Sequence, residues 1–266
     1  MLFPLSDDDR KLIRPTYVTV GLLVINVLVF LYQLGSPAFT LGFSVIPAEI
    51  TSGKDLVGTY YTELGGSQYE IDQTPGPWPI YLTLITSMFM HADWLHLGGN
   101  MLYLWIFGDN VEHRFGSLRF LFFYIASGLV ASAAQISLDP DSIIPNLGAS
   151  GAISGVLGAY LVLFPRNRVY CIILFRIVAL PALAVLGLWF LFQFLAGGNT
   201  LLADEQAGGV AYTAHIGGFI AGMIFGGISR IGMDEEPDTA FTRVIRDDPK
   251  DHPAYRPNPY SFKRRH

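Results

Sequence analysis

The chain has 266 residues, of which 51% are hydrophobic and only 15% charged, and its mean hydropathy is +0.40. That balance is too apolar for an ordinary soluble domain of this length and indicates a polytopic membrane protein. The net charge of −5 gives no basis for nucleic-acid binding, and the single cysteine, Cys171, excludes an intrachain disulfide.

A charged start, DDDRKLIR, leads into the first apolar run. Crossing a hydrocarbon core of ~30 Å takes about 20 residues. Six windows approach that length: 16–34, 94–113, 117–137, 150–165, 177–196 and 209–229. The first has no small-residue cleavage pattern after it, so a retained span is expected and not a signal peptide. Residues 36–90 form a long polar connection that ends in an apolar segment, 79–90, too short to span and suited to an interface. Residues 50–75 read equally as a functional loop or a tolerated insertion. The fourth window is short, and Cys171, beside the turn after it, reads as inert packing. Residues 233–266 are polar and proline-rich, with the composition of a disordered tail.

Basic residues set the expected orientation. Arg10, Lys11 and Arg14 precede the first window, Arg114 and Arg119 flank the turn between the second and third, and Arg166, Arg168 and Arg176 lie between the fourth and fifth. Eight more follow from Arg230 onward, so sixteen of the seventeen Lys and Arg share one side and Lys54 alone is opposite. Six spans with both termini cytoplasmic account for this pattern. The expected division is a cytoplasmic segment 1–14, a membrane domain 15–230 and a cytoplasmic tail 231–266.

Polar side chains inside hydrocarbon cost free energy, so each is a functional hypothesis by default. The candidates are His96 and Asn100 in the second window, Ser150 and Ser154 in the fourth and His215 in the sixth. At 1.5 Å per residue, Ser150 lies roughly 24 Å from Arg166, His215 roughly 22 Å from Arg230, Asn100 roughly 21 Å and His96 roughly 27 Å from Arg114. Four polar residues from three helices thus fall in one layer. His96 and Asn100, four apart, share a helix face, and Asp93 is placed to cap that helix. Ser150 opens the fourth window, where unpaired backbone N–H groups favour developing negative charge. A serine needs a neighbouring base, and histidine is the commonest. Gly218 and Gly222 match Gly151 and Gly155 as close-packing pairs that would bring His215 to Ser150. His96 and Asn100 would then donate to an oxyanion. Against this stand serine back-bonding to its own helix, structural histidines, and a small transporter using the same layer, which should show repeat symmetry or more intramembrane charge. Metal chemistry is a weaker competitor, because His91 and His96 are five apart and no HExxH occurs; no metal or other cofactor is expected.

In their order, HADWLHLGGN (91–100), VEHRFG (111–116), the GxSG at 148–151 and AHIGGFIAG (214–222) resemble the rhomboid family of intramembrane serine proteases. The resemblance covers about residues 15–230. It implies an all-α, six-transmembrane-helix bundle with a long first outer loop, with Ser150 as nucleophile and His215 as general base, and no acidic third member. His96 and Asn100 look like the oxyanion hole, His91 a brace for the outer loop, and Gly148 and Gly151 the flanks of the nucleophile. Glu112 and Arg114 match a structural ion-pairing motif, and Gly218 and Gly222 the close-packing positions. The implied partners are transmembrane protein substrates and the lipid bilayer, and the implied location a prokaryotic cell membrane. Two departures stand out: Ser154 where many members carry an aromatic residue, and GPWP where some carry a Trp-Arg pair. A catalytically silent relative that binds membrane proteins is the competing reading. Such proteins usually lose the serine or the histidine, and both are present.

Overall fold

The computed structural model describes residues 3–8, 15–64, 67–203 and 211–231. Most of the expected 1–14 segment, the acidic pair Asp204 and Glu205, and the tail beyond Ile231 therefore lie outside the described residues.

β1 (Phe3–Asp7) precedes α1 (Tyr17–Gln33). Two short helices follow, α2 (Pro37–Gly42) and α3 (Pro47–Ser52), then a hairpin of β2 (Gly58–Leu64) and β3 (Ser67–Gln73) and the helical stretch Ile80–Phe89, whose α-helical turn is α4 (Thr83–Thr86). The remainder is α5 (Trp94–Phe115), α6 (Ser117–Leu138), α7 (Ser150–Leu163), a hairpin of β4 (Arg168–Ile173) and β5 (Arg176–Pro181), α8 (Ala182–Ala203) and α9 (Tyr212–Ile231). Among the described residues, α6 and α9 are long and apolar enough to cross a membrane, and α1, α7 and Ala182–Gly197 are apolar but shorter.

The all-α expectation needs correcting, because two small antiparallel sheets are present, β2–β3 and a three-stranded β1–β4–β5. Residues 177–181, assigned to the fifth apolar window, form β5, and the helix starts at Ala182. The two-residue turn Leu174–Phe175 has positive φ at both positions, 47° and 66°. That geometry matches the twist of paired strands but normally recruits Asn or Gly. Val169 and Cys171 of the central strand β4 point inward and are fully buried against the helical core, and burial pushes the Cys171 thiol up from its usual value.

Helix α7 forms the centre. Every residue from Gly151 to Tyr160 is buried, as expected of a helix apolar on all sides, and α5, α6, α8 and α9 all pack on it. A Cβ on Gly218 or Gly222 would overlap the carbonyl oxygens of Gly151 or Gly155, and one on Gly158 that of Phe219. The α7 and α9 backbones therefore touch directly, which small residues alone permit.

Glu112 ties the opposite end of the bundle together. α1 has no side-chain cap of its own. The buried Glu112 carboxylate accepts instead from the Val18 N–H (3.0 Å), the Thr19 N–H and Oγ1–H (2.7 Å each) and the Ser117 Oγ–H (2.6 Å). An α5 side chain thus satisfies the exposed N–H groups and dipole of α1 and holds the start of α6.

In the connection between α1 and α5, Glu49 is only 2% exposed and accepts from the Leu56 N–H (2.8 Å). Burial, with Asp55 adding repulsion, pushes its carboxyl up to about 7. A raised carboxyl favours the folded loop when protonated, so protection is greatest below about pH 4.5, declines as pH rises to about 7 and then levels off. The Leu56 amide should accordingly lose several-fold in hydrogen-exchange protection, corrected for intrinsic rate, between pH 5.5 and 8. Glu49→Gln should flatten that dependence; an unchanged slope in the variant would refute it.

Candidate active site

α7 begins at Ser150 and follows Gly148, whose φ of +124° is strained for any other residue. A Cβ there would lie 2.7 Å from His96 Nε2, so glycine also lets the loop approach that ring. The Gly148 N–H donates to the Ser87 carbonyl (2.9 Å), which fixes the loop on the Ile80–Phe89 stretch. Ser150 is thereby held at a helix start, whose first N–H groups have no partners within the helix.

Ser150 Oγ lies 2.8 Å from His215 Nε2, reached from α9 across the glycine contact. On the other side of the same ring, His215 Nδ1 lies 2.8 Å from Gln193 Oε1 on α8, and the Trp189 ring sits 6.1 Å from the imidazole, tilted by 36°. The two serines of GASGAISG separate plainly. The Ser154 hydroxyl donates to the Ser150 carbonyl (2.6 Å) and is buried, the back-bonding usual for a helical serine.

His96 and Asn100 face the serine from α5. Asp93 caps this helix by accepting from the His96 N–H (2.8 Å). The Ala92 N–H points at His96 Nδ1 (3.4 Å), an arrangement that suits a ring proton on Nε2, the nitrogen facing Gly148. Asn100 is 8% exposed, and its buried Nδ2 makes no hydrogen bond within the protein. Unpaired buried donors cost about 1–3 kcal/mol, and Asn100 is among the residues lining a cavity of about 820 Å³ together with His96, Ser150, Gln193 and His215. The same cavity reaches Asp93, Asn146 and Tyr212, at the N-terminal ends of α5, α7 and α9.

His91 lies just behind this cluster, whereas Glu112 and Arg114 stand away from it. His91 is 1% exposed behind His96, with ring centroids 5.1 Å apart, and its backbone N–H and C=O bond both ends of the Gln33 amide. It therefore ties α1 to the loop preceding α5. Glu112 and Arg114 lie at the far end of α5, roughly 24 Å along the helix from His96. Sequence reasoning passed over Gln193 and Trp189. The available signal was Gln193 itself, the one amide in the apolar stretch 182–197.

The model of the Rhomboid domain matches residues 79–231. Rhomboid protein 1, mitochondrial, of Saccharomyces cerevisiae is 34% identical over 149 residues, covering 54% of this chain and 41% of the yeast protein. Rhomboid protease GluP of Bacillus subtilis is 36% identical over 143 residues, covering 52% of this chain and 27% of that protein. The human presenilin-associated rhomboid-like protein, mitochondrial, is 27% identical over 175 residues, covering 61% of this chain and 42% of that protein. The chain thus matches less than half the length of each of these curated relatives. Two of the three are mitochondrial by name, which weighs against a prokaryotic membrane.

Proposed function

The chain belongs to the rhomboid family, and on that premise we propose that it is an intramembrane serine endopeptidase. The family makes it a multi-span helical membrane protein. The finer reading has six spans, α1 and α5 to α9, with both ends of the 15–230 domain on the cytoplasmic side and a substrate that is itself a transmembrane segment, cut near the outer boundary.

Ser150 Oγ attacks the scissile carbonyl while its proton passes to His215 Nε2. The carbonyl oxygen, now negative, is met by the N–H groups at the start of α7, by His96 Nε2–H and by Asn100 Nδ2–H. His215 returns the proton to the leaving amine, and water entering through the cavity repeats the sequence to release the acyl group. Preorganised donors of this kind are each worth about 10²–10³ in turnover. The observation that carries the reading is the 2.8 Å Ser150–His215 contact at a helix start, beside the unpaired Asn100 donor.

The test uses the full chain in vesicles with a fluorophosphonate probe and a model transmembrane substrate. Ser150→Ala should lose labelling and at least about 10³-fold in cleavage, whereas Ser154→Ala should keep both. Labelling that survives Ser150→Ala would sink the assignment.

A further inference from the structure

The general base is held from two sides, and the second side is α8. His215 can accept the serine proton at Nε2 only if its own proton sits on Nδ1. Gln193 Oε1, 2.8 Å from Nδ1, is an acceptor only, and an acceptor there selects that tautomer. Trp189 lies one helical turn before Gln193 on the same face of α8. Its ring stands 6.1 Å from the imidazole and 5.8 Å from Phe219, so it limits rotation of the histidine about its χ angles. α7 offers no such support, because one turn below Ser150 it carries Ser154, whose hydroxyl is turned back to the Ser150 carbonyl. An amide in an otherwise apolar stretch also has a cost in hydrocarbon that core packing does not offset.

Resting on the protease reading above, we propose that Gln193 is a positioning residue, the third member of a Ser150–His215–Gln193 relay that holds the imidazole as its Nδ1–H tautomer. No proton reaches Gln193. The Ser150 proton goes to Nε2, the Nδ1 proton stays in its hydrogen bond to the amide oxygen, and the resulting imidazolium keeps that acceptor while its Nε2 proton passes to the leaving amine. The histidine's competence consequently depends on where α8 lies, and a displacement of that helix by about an ångström would weaken a 2.8 Å bond to nothing.

Gln193→Met keeps the length and removes the acceptor; Gln193→Glu keeps an acceptor. With the full chain in vesicles, Gln193→Met should lower kcat and the fluorophosphonate labelling rate by about 10²-fold, the lower end of general-base effects, with KM essentially that of wild type. Gln193→Glu should recover most of that loss. A structural role would instead shift Tm and affect both variants alike. ¹⁵N shifts of His215 should report Nδ1–H in wild type and loss of that preference in Gln193→Met, a readout that needs no turnover. Gln193→Met with wild-type kcat and tautomer overturns the relay, as does equal loss in both variants. A wild-type chain that takes no label at Ser150 overturns the protease reading and the relay with it, and is thereby distinguishable from failure of the relay alone.

Discussion

Gly222→Leu is expected to abolish cleavage and to destabilise the bundle by about 4 kcal/mol or more, the range reserved for severe overpacking. A side chain at 222 would begin inside the Gly155 carbonyl, and its other close neighbours are also Gly155 backbone atoms. A backbone cannot rotate out of the way as a side chain can, so α9 must withdraw from α7 along the whole glycine stripe. That withdrawal acts on the chemistry directly, since His215 and Ser150 meet across the same contact. A misplacement of about 1 Å costs roughly 10² in rate. The control is Gly227→Leu on the same helix, where a Cβ meets nothing within 4 Å. It should unfold and cleave as wild type does. Equal behaviour of the two variants in thermal unfolding and cleavage would remove the close-packing explanation.

Glu112→Ala is the second large effect, expected at about 3 kcal/mol or more, since each buried donor left unsatisfied costs about 1–3 kcal/mol. Four donors, from α1 and the start of α6, lose their acceptor together. Glu112→Gln should be nearly as damaging, because the amide offers one acceptor oxygen and turns N–H groups toward the remaining donors. The loss should appear as a lowered Tm and as increased hydrogen exchange at Val18 and Thr19, the two amides that Glu112 accepts from. If Glu112→Gln keeps the wild-type Tm, the carboxylate is not the cap described above.

These two residues mark how far the sequence could be read. Gly218 and Gly222 stand at a helical interval in an apolar run, opposite a matching pair, and one-dimensional spacing suffices to infer their contact. The expectation that Ser150 meets His215, with His96 and Asn100 beside them, drew on matched depth, the helix-start position of Ser150, the facing glycine pairs and the ordered family motifs, because hydrocarbon makes each polar residue conspicuous. Glu112 was expected in an ion-pairing motif with Arg114; that two of its four hydrogen bonds run to the backbone of α1, ninety-three and ninety-four residues away, is something no local pattern encodes. The β4–β5 hairpin was hidden for a different reason. Its Leu174–Phe175 turn lacks Asn or Gly, and RIVALP runs into the apolar helix after it, so periodicity merged strand and span. Gln193 was not legible because, unlike Asn100 with His96, it has no polar neighbour at helical spacing in 182–197 and belongs to none of the family motifs.

The three-stranded sheet imposes an order of events on biosynthesis. β1 pairs with β4 from Phe3↔Ile172 to Asp7↔Val169, with a bulge between Pro4 and Ser6. Asp7 of this strand accepts from Tyr160 of α7 and from Asn110 of α5 (2.8 Å). Residues 3–7 leave the ribosome before any of these partners exists, and β4 follows only after about 160 further residues, some 8–30 s later at ordinary elongation rates. Through that interval β1 is an unsatisfied edge carrying a carboxylate destined for burial. Its docking ties the earliest described segment to one that becomes available only once α7 has been synthesised, while α8 and α9 are still to come.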